Sequence, residues 1–157
     1  MLEPSSAYRF GDLLALAREH WVRQMAQRLA AAGHRDYRRS DAAAVRLLAR
    51  GPRSIGEVGE ALAISRQAAR KLVNGLERRG YATTARDGRD ARRLNVSLTA
   101  HGESFAVAIV EAIEVLNRAL AERVDAASMR SADAVLRASL PNRPARERAA
   151  RLIPPPD

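Results

Sequence analysis

Two short capped helices joined by a two-residue link are the feature that most constrains the fold of this 157-residue chain. Residues 54–57, Ser-Ile-Gly-Glu, have the spacing of a capping box, in which the serine and the glutamate each satisfy a backbone amide of the other. The box predicts a helix that runs to about Leu62. After the link, Ser65 is a good N-cap for a second helix, which Gly80 ends. Helix, brief turn and helix together predict a helix-turn-helix.

Both predicted helices are amphipathic, and the polar face of the second one carries the chemistry. The apolar residues that would form their buried seam are Ile55, Val58, Leu62, Ile64, Ala69, Leu72, Val73 and Leu76. The helical period puts a different set mainly on the opposite side of the second helix: Arg66, Gln67, Arg70, Lys71 and Asn74. Side chains of these types bind phosphates and the edges of bases.

A β-hairpin is predicted directly after the second helix. Residues 81–86 and 94–98 have the composition of two short strands. The segment between them, Asp-Gly-Arg-Asp-Ala-Arg-Arg at 87–93, begins with an Asp-Gly turn signal and is rich in arginine. A hairpin with a basic tip that follows a helix-turn-helix is a wing.

A long helix is predicted before this unit, over residues 8–32. Its apolar residues recur at steps of three and four: Phe10, Leu13, Leu14, Ala17, Trp21, Met25 and Leu29. Gly33 is suited to end it as a left-handed cap. Ser40 then serves as N-cap of a short helix over 41–49, and Gly51-Pro52 breaks the chain.

Two further helices are predicted after the wing. The first begins at Thr99, with an apolar stripe formed by Phe105, Ile109, Ala112, Ile113, Leu116, Leu120 and Val124. Ser128 opens the second, and a short helical turn is expected around 145–152. The predicted fold class is mostly α with a small two- or three-stranded β wing. We expect a single domain over residues 1–157, with a DNA-binding lobe at 40–99 and long dimerisation helices at 8–32 and 100–152.

The positive charge is concentrated in the central third of the chain. Residues 46–93 hold twelve basic and five acidic side chains, a net charge of +7 out of +9 for the whole chain. A local excess of this kind is typical of a surface that faces phosphates. An arginine-rich solvated face on an ordinary protein is the alternative that charge alone leaves open.

Composition excludes several other functions. The chain has no cysteine, which excludes disulfides, thiolate metal sites and a cysteine redox switch. The three histidines, His20, His34 and His101, are too scattered to indicate a metal site. No glycine-rich phosphate loop, nucleophile elbow or carboxylate cluster indicates an enzyme, and no cofactor is expected. Without an apolar run of membrane-spanning length or a signal pattern, we expect no membrane association and a cytoplasmic location.

The central motifs resemble those of the MarR-type winged-helix regulators. The wing carries the most specific part, D-x-R-x-x-R followed by an L-T pair, here Asp87, Arg89 and Arg92 with Leu98-Thr99. Upstream, Ile-Ser-Arg-Gln at 64–67 and Leu-Glu-Arg-Arg-Gly-Tyr at 76–81 are similar to the family's entry to and exit from the recognition helix. The flanking helices match by length and order.

The resemblance implies a sequence-specific DNA-binding transcriptional regulator, and double-stranded DNA as its partner. Residues expected to contact DNA are Ser54, Ser65, Arg66, Gln67, Arg70, Lys71, Asn74, Arg86, Arg89, Arg92 and Arg93. Within this set we expect Gln67 to read bases, Lys71 to bind phosphate and Arg89 to enter a minor groove. Asp87 and Arg92 would pair to hold the shape of the wing. Which of the other arginines meet bases and which meet phosphates stays open.

The resemblance also implies a homodimer on a pseudo-palindromic operator, and repression as the usual outcome. The family's effectors are small aromatic or anionic molecules, and the residues that could line such a site are His20, Trp21, Tyr37, Arg38 and Phe105. For Trp21 and Phe105, a place in the hydrophobic core is the more common role of such side chains. The alternative function is a winged helix used for protein–protein contact, which would be expected to lose its basic recognition helix and wing.

Overall fold

A computed structural model of the chain describes residues 4–86 and 94–140. In these ranges the elements are α1 (Pro4–Ala31), α2 (Arg39–Leu48), β1 (Arg53–Ser54), α3 (Ile55–Leu62), α4 (Arg66–Arg78), β2 (Ala82–Arg86), β3 (Leu94–Leu98), α5 (Ala100–Ala121) and α6 (Ala126–Ala138). The predicted fold class, mostly helical with a small sheet, is confirmed.

The sheet has three antiparallel strands in the order β1-β3-β2. Its centre is Val96, which pairs with Arg53 of β1 on one side and with Thr84 of β2 on the other and is fully buried. Of the two sizes that the sequence allows, three strands is therefore the correct one. Since β1 leads directly into α3, the sheet is joined to the helix-turn-helix at both ends of that unit.

The two predicted caps of the helix-turn-helix are confirmed. At the start of α3, the Ser54 hydroxyl accepts a hydrogen bond from the Glu57 amide at 3.3 Å, and the Ser54 amide donates to the Glu57 carboxylate at 2.7 Å. At the start of α4, the Ser65 hydroxyl accepts from the amide of Ala68 at 3.1 Å. Both helices thus begin where the local sequence supplies an acceptor for an otherwise unpaired amide.

Two other predicted helix starts are wrong. Helix α2 begins one residue before Ser40, and its cap residue is Arg38, whose amide donates to the carboxylate of Asp41 at 2.6 Å. Helix α6 begins before Ser128, which lies in the first turn and donates its amide to Asp125 at 2.9 Å. In both cases a nearby aspartate supplies a charged acceptor, which forms a stronger hydrogen bond with an amide than a serine hydroxyl does.

The core lies between α2, α3, α4, the sheet and the first half of α5. Its largest fully buried side chains include Tyr81, Phe105, Leu29 and Leu76. Helix α1 starts at Pro4, earlier than the predicted Tyr8, and this start is consistent with the tolerance of proline in the first turn of a helix. Only the last turns of α1 reach the core, and α6 has no buried residue.

Several predicted features lie outside the described residues. These are the wing tip with Asp87, Arg89, Arg92 and Arg93, and the C-terminal part of the predicted dimerisation segment, 141–152. Among the helices of the described part, none is long and apolar enough to cross a membrane. The same residues contain no group of three or more side chains that could hold a metal ion.

Candidate nucleic-acid interface

Helix α4 presents one buried face and one exposed polar face. Ala69, Val73 and Leu76 are completely buried against the rest of the lobe. Every predicted reading residue on this element is exposed: Ser65, Arg66, Gln67, Arg70, Lys71 and Asn74. The structure therefore brings these six predicted residues together on a single surface.

The cations on this face have no acidic partner among the residues that the structure describes. Within residues 4–86 and 94–140, no carboxylate forms an ion pair with Arg66, Arg70 or Lys71. Each of the three therefore projects a full positive charge into solvent. Three free cations on one short helix form a surface suited to a polyanion.

The turn between α3 and α4 is tight, and a glycine allows the two helices to approach closely. Ala63 ends α3 in the left-handed conformation, with φ of 53°. At Gly59, a Cβ atom would lie 3.1 Å from the carbonyl oxygen of Ile64 and 3.5 Å from the Cβ of Ala69. The absence of a side chain at Gly59 thus lets α3 approach the first turns of α4 closely, which sets the crossing of the two helices.

The remaining predicted contacts lie on either side of α4. Arg86 is exposed at the end of β2, opposite Leu94, where the hairpin leaves the described residues. Ser54 is half-buried, and its hydroxyl is used by the cap of α3. Arg86 is therefore free to contact a partner from the end of β2, whereas Ser54 has a structural role as well.

The five residues predicted for an effector site are not all brought together. Phe105 is fully buried, and the ring of Tyr37 lies 5.3 Å from it. Arg38 borders a cavity of about 350 Å³ on the side of α4. His20 and Trp21 lie in α1, where His20 is exposed; in the described part of the chain neither one makes a ring contact with the Tyr37–Phe105 pair.

A buried aromatic cluster that sequence reasoning missed joins α4 to α5. His34 and Tyr81 are both buried, and the ring of His101 stacks on Tyr81 at 4.6 Å and lies 4.9 Å from His34. Phe105 completes the cluster at 4.9 Å from His34. Two histidines that are 67 positions apart therefore meet in space. No periodicity in the sequence signals such a long-range contact.

The buried position of His34 makes the stability of the fold dependent on pH. Burial, and then the nearby His101, lower the pKa of His34 from its ordinary value, against a smaller opposing effect of Asp36. The unfolded chain therefore takes up a proton more readily than the folded one. This histidine thus contributes stability above about pH 6.5, its ordinary pKa, and the contribution is lost as the pH falls through the lowered value.

We accordingly expect the thermal unfolding midpoint to be level between pH 7 and 8 and to fall below about pH 6.5. Replacement His34→Phe keeps an aromatic ring in the cluster and should flatten that fall. His20→Gln removes an exposed histidine and is the matched control, which should keep the wild-type profile. Calorimetric scans of the three proteins between pH 5 and 8 make the comparison. An unchanged slope in His34→Phe would contradict the assignment.

Comparisons with known proteins agree with this architecture. Residues 36–93 match the model of the MarR family. FabT of Streptococcus pneumoniae, solved in complex with DNA, is 16% identical with a TM-score of 0.71, over 83% of this chain and 92% of that one. The heme sensor protein PefR of Streptococcus agalactiae, in complex with heme, is 20% identical with a TM-score of 0.65, over 88% and 92%. Wild-type MarR of E. coli, in its apo form, is 16% identical with a TM-score of 0.59, over 83% and 96%. No curated protein matches the sequence.

The fold and the exposed face of α4 together define a winged helix-turn-helix protein. Its central segment, residues 36–93, matches the model of the MarR family, and the resemblance seen in the sequence is confirmed over that segment. At these levels of identity the solved structures establish the shared fold, which extends over α1 and α5 as well as the segment that the family model matches.

Proposed function

We propose that this chain is a DNA-binding transcriptional regulator that reads a specific operator through α4. The observation that carries the proposal is the row of exposed cations and amides on the face of α4 opposite the core, where the cations have no carboxylate partner in the described part of the chain. In a helix-turn-helix, this helix enters the major groove and its N-terminal residues meet base edges. Gln67 and Arg66, in the first turn, are the proposed base readers, and Lys71 is the proposed phosphate contact.

The experiment is a titration of fluorescent random-sequence duplex DNA with the protein at a series of salt concentrations. We expect measurable binding at about 50 mM salt and a steep negative slope of log K against log salt, because phosphate contacts release counterions. Selection from a randomised library should then enrich one sequence. Absence of binding at low salt would favour the alternative, a winged helix used for protein–protein contact.

We further propose that the regulator is a homodimer built through α1, α5 and α6. Apolar side chains on these helices are exposed in the single chain; among them are Leu13 and Leu16 of α1, both 62% exposed, and Val107 of α5, 56% exposed. Helix α6 buries none of its residues, although Val135 and Leu136 lie on it. Exposed apolar surface of this extent marks an interface.

A second copy of the chain is the proposed occupant of that surface, because the same three helices can cover one another around a two-fold axis. Such a dimer carries two α4 helices and matches a pseudo-palindromic operator. Sedimentation equilibrium at micromolar concentration should give the mass of two chains. A monomer mass would contradict the proposed dimer, but it would not contradict the proposed contact of α4 with DNA.

The proposal includes repression that is relieved by a small aromatic or anionic effector. Its support is the contact of Tyr37, in the segment before α2, with Phe105 of α5, because this contact joins a proposed dimer helix to the lobe that carries α4. An effector acts only if it binds the DNA-competent state and the released state with different affinity. Benzoate is a simple probe: it should weaken the complex with the selected duplex, and an unchanged affinity at millimolar benzoate would count against this class of effector.

A further inference from the structure

A buried ion pair connects the C-terminal end of α4 to the start of α2. The guanidinium of Arg79, the C-cap residue of α4, donates to the carboxylate of Asp41 at 2.6 Å. The Asp41 side chain is fully buried, and that of Arg79 is only 14% exposed. Arg79 is therefore not part of the exposed cationic face, although it belongs to the same helix region.

One oxygen atom of Asp41 serves both the pair and the cap of α2. Oδ2 accepts from the Arg79 guanidinium and also from the backbone amide of Arg38 at 2.6 Å. The guanidinium lies against α4 at Gly75, where a Cβ atom would come within 3.3 Å of the Arg79 Nη2 atom. The Asp41 carboxylate thus connects the first turn of α2 to the C-terminal end of α4.

A second connection links the same two regions. The hydroxyl of Tyr81, just beyond α4, donates to the carboxylate of Asp36, just before α2, at 2.8 Å. Two polar contacts directly after the last residue of α4, made by Arg79 and Tyr81, constrain the rotation of the helix as well as its position. Buried polar contacts have a strict geometry, whereas apolar packing tolerates small shifts.

We propose that Asp41 and Arg79 are positioning residues that set the orientation of α4 and thereby the base specificity of the regulator. This inference rests on the proposed function. Gln67 lies about 18 Å along the helix from Arg79 at about 1.5 Å per residue. A tilt of about 5° at the Arg79 end therefore moves Gln67 by about 1.5 Å, which is enough to break a hydrogen bond to a base. Phosphate contacts made by long flexible side chains tolerate the same shift.

The test uses two probes and a charge-neutral double variant. The probes are the duplex selected by the wild-type protein and a random-sequence duplex. Asp41→Asn with Arg79→Met removes both charges, so no uncompensated charge stays buried, and the net charge is unchanged. The asparagine oxygen can still cap α2. We expect the affinity for the selected duplex to fall at least about tenfold, and that for the random duplex to stay within about twofold.

Two further variants separate positioning from charge and from stability. Arg78→Met removes an exposed arginine of α4 next to Arg79. It should lower the affinity for both duplexes by a similar small factor and keep the ratio of the two affinities. Arg79→Lys keeps a cation that can reach Asp41 and should keep most of the wild-type preference for the selected duplex. Thermal unfolding identifies the folded variants, and Arg79→Lys still tests the proposal where the double variant does not fold.

The outcomes are distinct. The positioning role would be overturned if the double variant keeps the wild-type ratio of affinities for the selected and the random duplex. The same holds if its affinity falls by the same factor for both duplexes. If Arg79→Lys loses the preference for the selected duplex as fully as the double variant does, a salt-bridge origin of the orientation is likewise overturned. Failure of the wild-type protein to bind either duplex at about 50 mM salt is a different result, since it removes the proposed function itself.

Discussion

Among the glycines that the structure describes, Gly102 is the one whose replacement by alanine is expected to destabilise the fold most. A Cβ atom at this position would lie 1.9 Å from the carbonyl oxygen of Tyr81 and 2.9 Å from its carbonyl carbon. These are backbone atoms that cannot rotate away, so the first turn of α5 or the start of β2 has to move. We expect a loss of about 3 kcal/mol or more in the free energy of unfolding, at or above the upper range for overpacking.

The effect is large because Gly102 lies at the junction between the lobe at residues 40–99 and α5. The amide of Thr99 donates to the carbonyl of Tyr81 at 3.1 Å, and the Thr99 hydroxyl accepts from the amide of Gly102 at 3.1 Å. Tyr81 also holds the buried aromatic cluster on His101 and Phe105. A shift at Gly102 therefore disturbs the α5 cap and that cluster together.

Urea unfolding followed by circular dichroism measures the difference, and Gly11→Ala is its matched control. A Cβ at Gly11, in the exposed part of α1, meets nothing within 4 Å. Alanine there should stabilise the helix slightly, by up to about 1 kcal/mol, because glycine is a poor helix former. Two variants with equal midpoints would show that the close approach at Gly102 is absent in solution.

The second large effect is expected on DNA binding, from the combined change Arg66→Gln, Arg70→Gln and Lys71→Gln. All three side chains are exposed and have no ion-pair partner in the described part of the chain, so their replacement should leave the unfolding midpoint almost unchanged. Removal of one phosphate contact lowers the magnitude of the salt slope by about 0.9. At about 0.15 M salt we expect a fall in affinity on the order of a hundredfold or more.

A control with the same charge change distinguishes a local interface from overall charge. Arg9→Gln, Arg18→Gln and Arg28→Gln remove three exposed cations from α1. Because exposed charges farther than about 8 Å apart are screened at physiological salt, this control should weaken binding only a few-fold. Equal reductions in affinity in the two triple variants would contradict an interface on α4.

Much of the site could be predicted because its determinants are local. The caps at Ser54 and Ser65 act on amides three residues away, and the alternation of Ala69, Val73 and Leu76 with the exposed cations follows the period of one helix. Each of these features depends on residues within one or two turns. The predicted helix starts at Ser40 and Ser128 are wrong because a nearby aspartate accepts from an earlier amide, that of Arg38 for Asp41 and that of Ser128 for Asp125.

The sequence by itself determined the capped pair of helices at residues 54–78, together with the wing strands and the basic face of α4. The tertiary structure alone decided the third strand, the meeting of His34 with His101, and the pairing of Arg79 with Asp41. The physical reason is the range of the interactions. Capping and periodicity act between neighbours in the chain, whereas a buried ion pair or a ring contact forms between segments that only the packing of the whole core brings together.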